Sequence, residues 1–254
     1  MNITRGVAIC HYNRLVHLGK IIQAVKDTVP EDTQIVVCDD GSNNSEGEVA
    51  VNVGDICREH EVLLIQGPNL GVAANKNRGL WALKNKHFIC ILEDDLIPIE
   101  KGWFEAYEKA TTFSNINHFC RIQDKEIPEI VPAFKEYMET HGLSPIYASS
   151  PRGDLTFITH NVVKKVGGFN NSFRGAGYAH GEWSGRVYKA ELIGHPRKWV
   201  DIKEARDKFE QIGDTTGGRW NDNEQTIRNQ LKKNDKLLKK LKNNPYVFHP
   251  IVLE

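Results

Sequence analysis

Three consecutive carboxylates follow an apolar run in Ile91-Leu-Glu-Asp-Asp-Leu-Ile-Pro98. Adjacent negative charges at the end of a buried strand are costly unless a cation neutralises them. Hard carboxylate oxygens suit Mg2+ or Mn2+. Side chains alternate in an extended chain, so Glu93 and Asp95 are expected to face a metal together, with Asp94 turned away or toward a ligand hydroxyl. The plain alternative is a solvated acidic turn. A second acidic cluster, Asp39-Asp40-Gly41-Ser42, also follows an apolar run. An aspartate there can accept an N–H from a base, with Gly41 allowing a tight turn, although the same residues are ordinary turn material. Asn69-Leu-Gly-Val-Ala-Ala-Asn-Lys-Asn-Arg-Gly79 opens a helix with small residues, from which Lys76 and Arg78 can reach a diphosphate. His180 and Glu182 pair an imidazole with a carboxylate, the two commonest kinds of general base, or else a structural pair near a helix start.

These residues need a scaffold that brings them together, and the first half of the chain reads as one. Gly6–Cys10, Gln34–Cys38, Val62–Ile65 and Phe88–Leu92 are short apolar runs of the buried-strand kind. Helical spacing of Leu15, Leu18, Ile21, Ile22 and Val25, and a helix from about Val72 to Lys84, lie between them. Strands apolar throughout and separated by helices predict a mostly parallel sheet covered on both faces. Ligands bind beyond the carboxyl ends of such strands, which is where the polar clusters fall. The second half is less regular: a helix is expected near Ala133–Thr140, a strand over Leu155–Ile158, a turn at Val166–Phe169, a loop over Gly213–Gly218 and a polar helix over Asn223–Leu241. Glycine-rich signatures of the P-loop or dinucleotide type are absent, which argues against an NTPase or a dehydrogenase.

Composition narrows the class further. The 254 residues, 40% apolar and 26% charged, suit a soluble globular protein with a real core, which excludes wholesale disorder, collagen-like and coiled-coil architectures. No apolar stretch is long enough to span a bilayer, and the N-terminus lacks a secretory leader, so a cytoplasmic location is expected. Cys10, Cys38, Cys57, Cys90 and Cys120 are an odd set without a C-x-x-C pair, as befits reduced core thiols.

Taken in order, the polar segments resemble the inverting GT-A glycosyltransferases, glycosyltransferase family 2 in particular. His11-Tyr12-Asn13-Arg14 is similar to that family's first strand end, and Asp39–Ser42 to its Asp-Asp-Gly-Ser. Asn69, Gly71, Asn77 and Gly79 match its glycine–asparagine segment, with Asn75 and Lys76 standing for alanine and arginine. Glu93-Asp94-Asp95 fits its Asp-x-Asp with glutamate first, and Glu182 with Arg186 fits the acceptor-side Glu-x-x-x-Arg. His180 falls where the family usually has its catalytic aspartate, and Ala179 where it has a glutamate. The resemblance covers roughly residues 5–193. It implies a Rossmann-like GT-A sheet flanked by helices and a single catalytic domain over 1–215, with a nucleotide-sugar half (1–110) and an acceptor half (111–215). Residues 216–254 would then be a basic helical extension.

The implied activity is metal-dependent transfer of a sugar, with inversion, from a nucleotide sugar of the UDP kind to an acceptor hydroxyl. By this resemblance Tyr12, Asn13 and Arg14 contact the nucleoside, Asp39 the nucleobase and Lys76 the diphosphate, and Asp40 and Asp94 are counted with this donor-binding set. Glu93 and Asp95 hold Mn2+ or Mg2+, with His195 or His249 as a third ligand. Glu182 is the first choice of base and His180 the second. Trp183 either stacks on a sugar or sits in the core. The alternative is a catalytically lapsed GT-A protein that binds a nucleotide sugar or glycan.

The charges total 33 basic and 33 acidic, yet residues 228–242 hold seven Lys/Arg against Asp235 alone, a local +6 that leaves −6 elsewhere. Besides a solvated helix face, this run fits phosphate or an anionic surface. That leaves as acceptor either a glycan or lipid-linked glycan, or DNA carrying hydroxymethylated bases.

Overall fold

The structure is a computed structural model that describes residues 3–42, 52–114, 116–122, 136, 139–148, 151–175, 177–192, 199–212, 224–241 and 248–253. The expected loop Gly213–Gly218, His195, and most of the helix expected near Ala133–Thr140 lie outside these residues.

The element order begins β1 (Arg5–His11), α1 (Leu15–Thr28), β2 (Thr33–Asp39), α2 (Val53–Glu59), β3 (Leu63–Gln66), α3 (Val72–Leu83), β4 (Phe88–Glu93), β5 (Leu96–Pro98), α4 (Trp103–Ser114) and β6 (His118–Ile122). It continues with β7 (Pro145–Ala148), β8 (Pro151–Thr159), α5 (His160–Val166), α6 (Ala179–Lys189), β9 (Trp199–Ile202), α7 (Lys203–Arg206), β10 (Phe209–Gln211) and α8 (Glu224–Leu241).

Six strands form the main sheet in the order β3-β2-β1-β4-β8-β6. The first four are parallel, whereas β8 runs antiparallel to both β4 and β6. The central β1 buries every residue after Arg5, which explains its unbroken apolar run: helices cover both of its faces. On α1, Leu18, Ile21, Ile22 and Val25 are buried at helical spacing. Helix α3 approaches the sheet so closely that a Cβ on Gly79 would lie 2.6 Å from the Ala8 Cβ. Below β4 and β8, Trp103, Phe104, Tyr107 and Phe157 interlock by edge and stacked contacts. All five cysteines are buried free thiols.

Strand register decides what meets at the carboxyl edge. His11 pairs with Asp39, Cys10 with Glu93, and Asp39 with Gln66, so the polar ends of β1, β2, β3 and β4 finish level. The antiparallel β8 pairs Leu155 with Leu92, which carries its first residues past the end of β4. Two further small sheets pair β5 with β10 and β7 with β9. Helix α8 packs Leu237, Leu238 and Leu241 on the core and buries Asn234, whose amide donates to the carbonyls of Arg174 and Gly177. No helix among the described residues is long and apolar enough to cross a membrane.

Candidate active site

The three carboxylates after β4 divide their work through their partners. The strand stops at Glu93 and Asp94–Asp95 form a turn, so the extended-chain alternation expected to pair Glu93 with Asp95 does not hold. Asp94 turns away from the edge, to the β1 turn. Its carboxylate accepts from the Tyr12 amide at 3.0 Å and from Arg14 at 2.5 Å, and lies 2.8 Å from His11 Nδ1. Burial alone would raise the Asp94 pKa, but His11, Arg14 and the Tyr12 amide outweigh it and hold the group below the ordinary carboxylate value. Of the two placements expected for Asp94, turned away or toward a ligand hydroxyl, the structure shows the first, and the carboxylate braces the β1 turn. Asn13, at φ 53, donates its amide to Ser42 Oγ and ties the same turn to the end of β2.

Glu93 and Asp95 carry the charge left at the edge. Glu93 Oε1 sits 3.0 Å from Lys76 Nζ, and Asp95 Oδ2 is 3.7 Å from Arg14. Two carboxylates of hard oxygen, one part-exposed and one buried, are a donor set chemically suited to Mg2+ or Mn2+. Of the third-ligand candidates, His249 bridges its backbone to Gly167 and points Nδ1 at the Pro250 carbonyl. Among the described residues it joins no converging set of three metal ligands with Glu93 and Asp95.

At the end of β2, Asp39 is fully buried and accepts from the Ser42 amide and hydroxyl and from Gln66 Nε2 at 2.9 Å. Asp40 accepts from the Leu70 and Gly71 amides and from Arg78. Burial raises the Asp40 pKa, and these donors offset only part of that rise. Arg78 is thereby occupied: one guanidinium nitrogen bonds Asp40 and the other the Pro68 carbonyl. The expectation that Arg78 reaches a diphosphate is corrected on this ground. Asn75 and Asn77 are likewise clamps, to the Cys38 carbonyl and to Phe169 and Asn171.

Lys76 is different. It is 1% exposed, contacts Glu93, and donates to the Gly153 carbonyl at the start of β8. A Cβ on Gly153 would lie 3.6 Å from Lys76 Nζ, 3.6 Å from the His180 Cβ and 3.7 Å from Glu93 Oε1. Residues from α3, β4, β8 and α6 thus meet at one point. His180 belongs to that meeting, whereas Glu182 lies on the next part of the turn with both oxygens held by Arg186 at 2.8 and 3.1 Å. Arg186 also caps the Val166 and Gly168 carbonyls. Trp183 is fully buried, donates to the Gly167 carbonyl and stacks on Phe169, so it is a core residue and does not face a sugar.

Several site residues escaped the sequence reading. Asp154 accepts from both Arg121 and Arg152, and Arg152 reaches Gln211. His118 and Cys120 face His180. The available signal for the last two was alternation in His118-Phe-Cys-Arg-Ile122, an edge strand whose polar residues are all buried.

A parallel sheet whose acid-lined carboxyl ends meet an antiparallel strand defines a GT-A-like scaffold. Residues 6–141, more than half the chain, match glycosyl transferase family 2, and the chain belongs to that family. A 98-residue stretch is 28% identical to glycosyltransferase GlyA of Streptococcus pneumoniae serotype 4, and covers 39% of this chain but 14% of that protein. Among solved structures, GalNAc-T7 with UDP, GalNAc and Mn2+ shares the fold with a TM-score of 0.61 at 12% identity, over 79% of this chain and 42% of that one. The mannosyltransferase PcManGT from Pyrobaculum calidifontis, in complex with GDP-Man and Mn2+, gives 0.55 at 12% identity, over 76% and 54%.

Proposed function

We propose that the domain transfers a sugar from a nucleoside diphosphate sugar to an acceptor hydroxyl, with inversion, and with a divalent cation held by Glu93 and Asp95. The carrying observation is the meeting around Gly153, where Lys76 and Glu93 of the donor half adjoin His180 of the acceptor half. Family membership and fold relatives whose structures contain UDP or GDP-Man with Mn2+ support the same reading. Neutralising the departing diphosphate is what Mn2+ or Mg2+ supplies there when bound. Tyr12, Asn13 and Arg14, braced by Asp94, form the nucleoside side of the donor cleft together with the Asp39 turn. Asp39 and Asp40 act by shaping that turn. Lys76 keeps a positive charge beside Glu93, where negative charge develops on the leaving group.

The acceptor oxygen attacks the anomeric carbon as the bond to the diphosphate oxygen breaks, and the hydroxyl proton passes to Glu182. A carboxylate has about four acceptor sites, so the two bonds from Arg186 leave Glu182 room for one more. His180 suits the role less well. Burial, then Lys76 and His118, push its pKa well below the usual imidazole value, which makes it a feeble proton acceptor. Arg228, Lys232, Lys233, Lys236, Lys239 and Lys240 are exposed on α8, while its leucines pack inward. That face supports an acceptor borne on an anionic carrier, a lipid-linked glycan or hydroxymethylated DNA. The two are told apart by salt-sensitive binding to anionic vesicles or to duplex DNA.

The test is a screen of UDP- and GDP-sugars with Mn2+, read as hydrolysis to the free nucleoside diphosphate and as calorimetric binding. Turnover lost on chelation and in Glu93→Gln is the expected result. Binding without any turnover would leave only the lapsed binding protein, and absence of both would overturn the proposal.

A further inference from the structure

His118 and Cys120 lie two residues apart on β6, so they share one face of the sheet. Strand pairing sets Cys120 opposite Thr156 of β8. His180, in the first turn of α6, comes down on the same spot, with its Nδ1 3.5 Å from Thr156 Oγ1. One ligand atom from each of His118, Cys120 and His180 falls within 4.8 Å of the others, and no other set of three does so among the described residues.

The hydrogen bonding at this spot is incomplete. His118 is fully buried, and neither of its ring nitrogens has a hydrogen-bond partner among the described residues; nor does Nε2 of His180. Buried polar atoms in native proteins are nearly always satisfied, and clustered exceptions point to an ion or water. Trp183 packs edge-on to the His118 ring at 5.3 Å and walls the spot with apolar surface. Lys76, the nearby cation, is matched by Glu93 at 3.0 Å.

We propose that His118, Cys120 and His180 bind one ion of the Zn2+ class. Two imidazoles and a thiolate are borderline-soft donors, unlike the hard carboxylates Glu93 and Asp95, so the domain would keep two cations apart by ligand chemistry. Three protein ligands leave the fourth tetrahedral position to water. Binding converts the Cys120 thiol to a thiolate and releases its proton to solvent. Such an ion would tie the edge strand β6 to the helix turn that carries Glu182. It stands independently of the sugar-transfer reading.

The full chain, stripped of metal by chelation and dialysed against Zn2+ or Co2+, provides the test. Expected are one tightly held Zn2+ per chain and, with Co2+, a near-ultraviolet thiolate-to-cobalt charge-transfer band. Cys120→Ser should abolish that band, and His118→Ala should weaken binding by more than about 100-fold, beyond the loss of an outer-shell partner. A Glu93→Gln/Asp95→Asn double variant should keep both stoichiometry and band, which separates this site from the donor-metal reading. Should the single variants fail to fold, X-ray absorption on the zinc of the unaltered chain reads its ligands directly, with one sulfur and two imidazoles expected. Zinc content near zero in folded protein, an all-oxygen zinc shell, or a cobalt band that survives Cys120→Ser would overturn the proposal.

Discussion

Asp94→Asn keeps the side chain's size and removes its charge, and it separates bracing from metal binding within one acidic triplet. Asp94 and Arg14 have side chains 7% and 10% exposed and meet at 2.5 Å, with His11 Nδ1 2.8 Å from the same carboxylate. Removing one partner of a buried pair costs about 3–5 kcal/mol because the other charge is left uncompensated. Asparagine can still accept from the Tyr12 amide, so the lower end, about 3 kcal/mol, is expected. For a chain of this length that lowers the melting temperature by roughly 6–12 °C. Glu93→Gln leaves the buried Lys76 without its carboxylate and should lower melting too, but unlike Asp94→Asn it should also remove Mn2+-dependent nucleotide binding. The assay is thermal unfolding by circular dichroism beside calorimetric titration of UDP and GDP with Mn2+. The pH dependence adds a second readout. The Asp94 pKa is lowered in the fold, so its stabilisation is full above the unfolded value of about 3.9 and fades as pH falls through the folded one. The parent should thus lose stability below about pH 4 more steeply than Asp94→Asn. An Asp94→Asn protein that melts like the parent but no longer binds Mn2+ would show that Asp94 is the metal ligand and refute this division of labour.

Other substitutions test other joints. Glu182→Gln should lower kcat by about 10^2–10^4-fold with donor affinity kept, and unchanged kcat would remove Glu182 as the base. Gly71→Ala should destabilise by about 1–3 kcal/mol from its dihedral alone, because φ is 93° and a Cβ there would stand 2.4 Å from the Gly175 amide nitrogen. Equal melting temperatures would contradict that contact. Burial raises Asp201 to about 7, with Tyr107 Oη donating to it at 2.7 Å. Its folded form therefore holds a proton that the unfolded chain releases, and stability should fall by on the order of 4 kcal/mol as pH rises from about 4 to 7. Asp201→Asn should flatten that slope in melting curves taken across the range; an unchanged slope would assign it to other groups.

Much of the scaffold was legible from local pattern. Unbroken apolar runs marked the parallel strands, helical spacing marked α1 and α3, and the acidic clusters marked the strand ends, because burial on both faces and helical periodicity leave their imprint on neighbouring residues. The order of those clusters was enough to suggest the family. Which acid does what was not legible. Asp94 is a brace because His11 and Arg14 sit across a strand gap from it, and Arg78 is unavailable to a ligand because Asp40, 38 positions away, takes it. Trp183 became core through the way α6 lies on Gly167, whereas Glu182 and Arg186 pair one turn apart on the same helix, as their spacing already suggested. Likewise, Cys120 read only as a core thiol and His118 drew no reading until the antiparallel β8 and the first turn of α6 brought His180 against them. Sequence by itself determined the four parallel strands, α1, α3, α8 and the supply of acids, since these follow from short-range periodicity. Tertiary structure alone decided the partners, because ion pairs and ligand sets join residues far apart in the chain, whose distances arise only when the sheet is assembled.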